Sequence, residues 1–195
     1  EEEAFCPCTV TQGTFSSPLP FLSGNVPVAN FYGYGIPAGS SANTGLEISE
    51  TFVLMLYEDT STGEVSVVFI ADIINDGTGG QMGVTFNCMP SGSFIAVADD
   101  PGELIGSAPT FTGNFNWQGC CTDGGAISGV GCGYSFTINP NIINGINTFA
   151  LVHGTQANPT YIPMPNLNCP ITINCGGPVC CLESFEFSAV TQNAS

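Results

Sequence analysis

Apolar residues in this chain come in short blocks or in alternation with polar ones, and the 3.6-residue rhythm of an amphipathic helix is nearly absent. The clearest blocks are TFVLMLY at 51–57 and EVSVVFIA at 64–71, on either side of the polar stretch 58–63. Both are too short for a buried helix and are rich in β-branched and aromatic residues. They predict a β-hairpin at the centre of the core. Further strands are predicted at 82–88, 93–98, 110–118, 134–138, 148–152, 170–174 and 182–190, with Gly, Pro and Asn between them. Residues 16–45 are dense in Pro, Gly and Ser and predict an irregular surface segment with one or two short strands, whose Phe31, Tyr32 and Tyr34 cover a sheet edge. A single helical turn is expected at 101–104, behind Asp100 as its cap. Together these elements predict an all-β fold: one domain over residues 1–195, built as a jelly-roll-like β-sandwich.

Composition adds constraints that the pattern does not carry. Hydrophobic residues make up 43 % and mean hydropathy is +0.27, yet no apolar run reaches the roughly 20 residues of a membrane helix. A globular chain without membrane insertion is expected. Lys and Arg are both absent against 16 acidic residues, a formal charge of -16. This argues against nucleic acid as a partner, because such binding rests on Lys and Arg contacts to phosphate. It rules out Lys Schiff-base chemistry and arginine fingers, and leaves trypsin-like proteases no cleavage site. Apart from His153, no cationic side chain can pair with a carboxylate. A buried carboxyl must therefore be protonated, held by N–H and O–H donors, or matched by a metal ion. Ca²⁺ is the expected cofactor, since hard oxygen donors favour it.

The cysteines form an even set: Cys6, Cys8, Cys88, Cys120, Cys121, Cys132, Cys169, Cys175, Cys180 and Cys181. In an acidic, Gly/Pro-rich chain they predict an oxidising, extracellular location and a disulfide-stapled fold. Neighbouring cysteines rarely bridge one another, so Cys120-Cys121 and Cys180-Cys181 are each expected to reach two separate partners. The chain opens on Glu1 rather than Met, as a secreted protein would after losing its leader. Asn193 heads a sequon at the C-terminus, a weak glycosylation signal.

Candidate chemistry concentrates between Asp99 and Gly125. Asp99, Asp100 and Glu103 lie in an acidic DDPGE turn behind a strand, and Asp123 stands in TDGG, where the glycines would let the backbone wrap a ligand. If the two loops meet, these four carboxylates make a Ca²⁺ site. A second candidate is Asp72, Asn75 and Asp76, and a third is Glu58-Asp59. No catalytic residue is assigned. Paired carboxylates would suit a glycosidase, but Trp117 is the sole tryptophan beside them, and nothing resembling G-x-S-x-G accompanies His153.

The succession SFIAVADDPGELIG, FTGNFNWQGCCTDGGAISG and INGINTFALVHG, over about residues 82–154, resembles secreted β-sandwich modules of bacterial surface and matrix proteins. The resemblance implies surface display or assembly, often with Ca²⁺, and transfers no catalytic residue. The functional expectation is a structural subunit of an extracellular filament, sheath or surface layer. It would be a homopolymer joined by disulfides, apolar contacts and exchange of segment 5–15 or 182–190 with a neighbour. The alternative is a Ca²⁺-dependent adhesion module for extracellular glycans using Asp99, Asp100, Asp123 and Trp117; a secreted glycosidase comes third.

Overall fold

The computed structural model describes residues 7–35 and 41–177; Cys6, Cys180, Cys181, Asn193 and the strand expected at 182–190 lie outside them. Two seven-stranded sheets face each other. The first runs, in spatial order, β2 (Phe15–Pro18), β1 (Thr9–Gln12), β14 (Ile171–Cys175), β11 (Tyr134–Asn144), β6 (Gly80–Asn87), β9 (Thr110–Trp117) and β8 (Leu104–Ser107). The second runs β13 (Asn158–Pro163), β12 (Thr148–Thr155), β3 (Leu22–Gly24), β4 (Thr51–Asp59), β5 (Glu64–Ala71), β10 (Asp123–Val130) and β7 (Phe94–Ala98). The chain is an all-β sandwich. β1 sits between β2 and β14 of its own chain.

The hairpin expected from the two apolar blocks is β4–β5, in register from Phe52 opposite Ala71 to Asp59 opposite Glu64. Its unbroken hydrophobicity reflects burial on both faces. Phe52, Leu54, Leu56, Val67 and Phe69 point between the sheets, while Val53, Met55, Tyr57, Val68 and Ile70 point outward into a second apolar layer. Between the sheets, the Phe69 ring lies 4.8 Å from Phe86 and 5.5 Å from Phe115, and Phe52 lies 5.2 Å from Phe149. Such tilted pairs add roughly 0.5–1.5 kcal/mol each to the area they bury.

The outer layer explains the Pro/Gly-rich segment. Within it a short helix, α1 (Val28–Tyr32), closes on Gly33, whose left-handed conformation (φ 65°) supplies the usual glycine stop. Val28, Phe31 and Tyr32 are buried against β4, β5 and β10, with Phe31 stacked on Tyr57 at 4.1 Å. The aromatic cover expected from this segment is therefore largely core, with Tyr34 left exposed. The turn expected to be helical at 101–104 is a plain turn that leads into β8.

β10 corrects the reading of TDGG as a ligand-wrapping loop. These residues open a strand between β5 and β7, with Asp123 opposite Ala71. The glycines are there for space: a side chain on Gly125 would meet the Val97 carbonyl at 2.6 Å, and one on Gly124 would run into the Phe69 carbonyl.

The cysteines also depart from expectation. Cys8 and Cys175 are bridged, joining the entry to β1 with the end of β14 across a sequence separation of 167. Closing so long a loop removes about 5 kcal/mol of unfolded-chain entropy. Cys88 and Cys132 are also disulfide-bonded. Cys120 and Cys121, expected to reach separate partners, bond to each other. The turn from Gln118 to Cys121 causes this. It is closed by the Cys121 N–H on the Gln118 carbonyl and held to loop 75–77 by N–H groups of Asn75 and Gly77 on the carbonyls of Cys120 and Gly119. That shape brings the adjacent sulfurs together. Among the described residues Cys169 is a free thiol.

Candidate functional site

Three of the four carboxylates expected to gather do so, at the end of the sandwich where β7 turns into β8. Asp99 follows β7 and is 3 % exposed, held by its own N–H on the Gly124 carbonyl. Its Oδ2 accepts a 2.8 Å hydrogen bond from the Tyr32 hydroxyl at the end of α1, while its Oδ1 is buried without a partner. Glu103 enters from the same turn, and its Oε2 is likewise buried and unpartnered. Asp123, 2 % exposed, accepts from the Asn116 N–H at Oδ2 and from the Gly124 N–H at Oδ1, both at 2.7 Å. Asp100, the fourth, stays at the surface and takes a 3.3 Å bond from the Tyr34 hydroxyl.

Electrostatics follow from burial in a chain with no side-chain cation but one histidine. Burial pushes the Asp99 carboxyl up to about 7; the Tyr32 hydroxyl pulls it down, and Asp100 and Glu103 add to the rise. Burial and then the adjoining Glu103 carboxyl push Asp123 up to about 8, against the Asn116 N–H. Burial raises Glu103 as well; the neighbouring Asp123 carboxyl pulls it down and Asp100 adds to the rise. Ionising such groups together would cost several kcal/mol per uncompensated charge. The donors within the cluster are backbone N–H groups and one tyrosine, and burial favours the protonated form of its carboxyls. Among the described residues no three His, Cys, Asp or Glu side chains are arranged to hold a metal ion.

The second candidate trio is occupied by the fold itself. Asp72 Oδ1 accepts from the N–H groups of Glu50 and Ile73, and Oδ2 accepts from the Trp117 indole at 2.8 Å. Asp76 takes the Ser49 hydroxyl at 2.6 Å and the Thr78 N–H at 2.7 Å, while Asn75 is bound through its backbone to the Cys120 carbonyl. Trp117 is 4 % exposed and so offers no ring face to a sugar. In the third candidate, Asp59 Oδ1 ties down its own turn by accepting from the Ser61 N–H and hydroxyl. His153 lies on β12 across from Thr160.

Sequence reasoning missed the tyrosines. Tyr32-Gly33-Tyr34 faces Asp99-Asp100, so two Tyr–Asp bonds, one buried and one exposed, clasp α1 to the end of β7. Beside this clasp a cavity of about 590 Å³ opens between helix and strand, lined by Ala29, Gly33, Tyr34, Asn43, Ala96 and Ala98. The matching Tyr-x-Tyr and Asp-Asp were visible in the sequence, but nothing local places residues 67 apart in contact. The chain matches no known protein family, no curated protein and no solved structure.

Proposed function

We propose that this chain is a structural subunit of an extracellular filament, sheath or surface layer, a homopolymer. The observation that carries the reading is the state of the sheet edges. Among the described residues, three of the four edge strands hold an exposed large apolar side chain: Phe94 on β7 (51 % exposed), Ile105 on β8 (52 %) and Tyr161 on β13 (38 %). Sheets that stay apart commonly protect their edges with lysine, and this chain has none. β13 carries Pro159 and Pro163 and β7 pairs through a bulge, features that limit backbone pairing at these edges. Apolar side-chain contacts are then the main adhesive, with segment 182–190 as the candidate for strand exchange.

The charge of -16 opposes assembly, and the opposition grows with each added subunit. Ca²⁺ enters here as a counter-ion bridging exposed carboxylates on neighbouring surfaces. The disulfides fit an oxidising, non-cytosolic environment, and secretion is the simplest route to one. Electron microscopy of the native material tests the reading: ordered fibres or sheets are expected, and dispersed monomers at neutral pH with Ca²⁺ present would overturn it.

A further inference from the structure

We propose that subunits are joined covalently by thiol–disulfide exchange, in which the Cys169 thiol of one copy opens the Cys120–Cys121 bridge of another. The inference rests on the assembly reading above and names its chemistry.

The two disulfides whose partners are both described do different things. Cys8–Cys175 closes a long loop, whereas Cys120–Cys121 has a sequence separation of 1 and closes none. Loop closure is how a disulfide restricts the unfolded chain, so the vicinal bridge adds almost nothing to the stability of the fold on that account. Its turn is already closed by the Cys121 N–H and fastened to loop 75–77 by two further backbone bonds. What the bridge does offer is access. Cys120 is exposed and Cys121 half-buried, so an attacking sulfur can reach them, and exchange requires such access.

The attacking group is present in the same chain. Cys169 is a free, half-buried thiol just before β14, positioned by the Gln12 amide, which donates a 2.8 Å hydrogen bond to its carbonyl. It cannot reach the vicinal bridge of its own subunit. β14 and β9, the strand leading to Cys120, are separated by β11 and β6, three strand spacings or about 14 Å, against a Cα separation of roughly 4.4–6.8 Å for a disulfide. A Cys169 sulfur that attacks Cys120 must therefore come from a second copy. Each subunit carries both an attacking thiol and a disulfide to be attacked, so one exchange leaves partners for the next.

The step needs no external oxidant. The Cys169 thiolate of one copy attacks Cys120 Sγ of the other; an Sγ169–Sγ120 bond forms, the Sγ120–Sγ121 bond breaks, and its electron pair leaves on Cys121 Sγ, which takes up the proton that Cys169 lost. One disulfide and one thiol enter, and one disulfide and one thiol remain. The product is an inter-subunit bridge with the free thiol moved to Cys121.

The test uses the full chain, assembled at neutral pH, then alkylated with iodoacetamide, dissolved in denaturant without reductant, and separated by non-reducing electrophoresis. Peptic peptides from each band are mapped by mass, since the chain has no tryptic site. A ladder of covalent oligomers is expected, with Cys169 linked to Cys120 and the alkyl group on Cys121. In Cys169→Ser the ladder should fall at least tenfold, with Cys120–Cys121 recovered intact. The wild-type peptide map does not depend on how a variant folds. Ordered fibres that dissolve to monomers alkylated at Cys169, or a map that joins Cys169 to Cys6, Cys180 or Cys181 of its own chain, would overturn the exchange and leave the assembly reading standing. Monomers with no fibres by microscopy would remove both.

Discussion

Replacing Asp99 by Asn turns the buried carboxyl cluster into a measurement. In the unfolded chain an aspartate titrates near 3.9, whereas in the fold burial holds Asp99 at about 7. Between these values the folded state keeps a proton that the unfolded state has lost, so stability falls as pH rises. The slope for one group is about 1.4 kcal/mol per pH unit, and it vanishes above about 7, where both states are ionised. Over roughly three units the loss is about 4 kcal/mol, reduced to about 2–4 kcal/mol once relaxation and water penetration around the cluster are allowed for. Asn keeps an oxygen to accept from the Tyr32 hydroxyl but cannot ionise. Asp99→Asn should therefore match the wild type near pH 4 and exceed it by about 2–4 kcal/mol at pH 8. Guanidinium unfolding with the disulfides intact, at unit steps from pH 4 to 8, gives this difference directly. A difference that stays flat across that range would show that Asp99 does not hold a proton in the fold, and the account of the cluster would fail.

Three further outcomes follow from the same structure. Cys8→Ser together with Cys175→Ser should lower unfolding stability by about 5 kcal/mol, read from the denaturant midpoint, because a loop closed across a sequence separation of 167 is released. Trp117→Phe keeps a ring in the core but leaves Asp72 Oδ2 without its donor; a loss of about 1–3 kcal/mol is expected by thermal or chemical unfolding. Assembly followed by light scattering should weaken when chelator is added at neutral pH and recover with Ca²⁺ or on lowering the pH, whereas indifference to all three would remove charge neutralisation from the proposed function.

What the sequence disclosed depended on how local the cause was. β4 and β5 were legible because burial on both faces writes an unbroken apolar run into each. β10 was not, since Asp-Gly-Gly is ordinarily turn chemistry; its glycines answer to the backbones of β5 and β7, which are distant in sequence. α1 stayed hidden because it has only five residues and owes its place to packing under Tyr57 rather than to helical propensity. The sequence placed Asp99, Glu103 and Asp123 in two loops that could meet, and the absence of side-chain cations left protons, N–H and O–H donors or a metal ion to hold them. Which donors would serve was not legible, because the Tyr32 hydroxyl and the Asn116 N–H come from other segments of the chain. The self-bridged Cys120–Cys121 was missed because adjacency argues against a bond unless the turn is known.

The Cys8–Cys175 bridge has a mechanical consequence. Cys8 lies just before β1 and Cys175 ends β14, so the bridge short-circuits the chain between its two outer segments. β1 and β14 are also paired antiparallel, from Thr9 opposite Asn174 to Thr11 opposite Thr172, so force pulling the two strands apart meets a sulfur–sulfur link beside the backbone ladder. The seam between the first and last described strands cannot be unzipped without breaking a covalent bond.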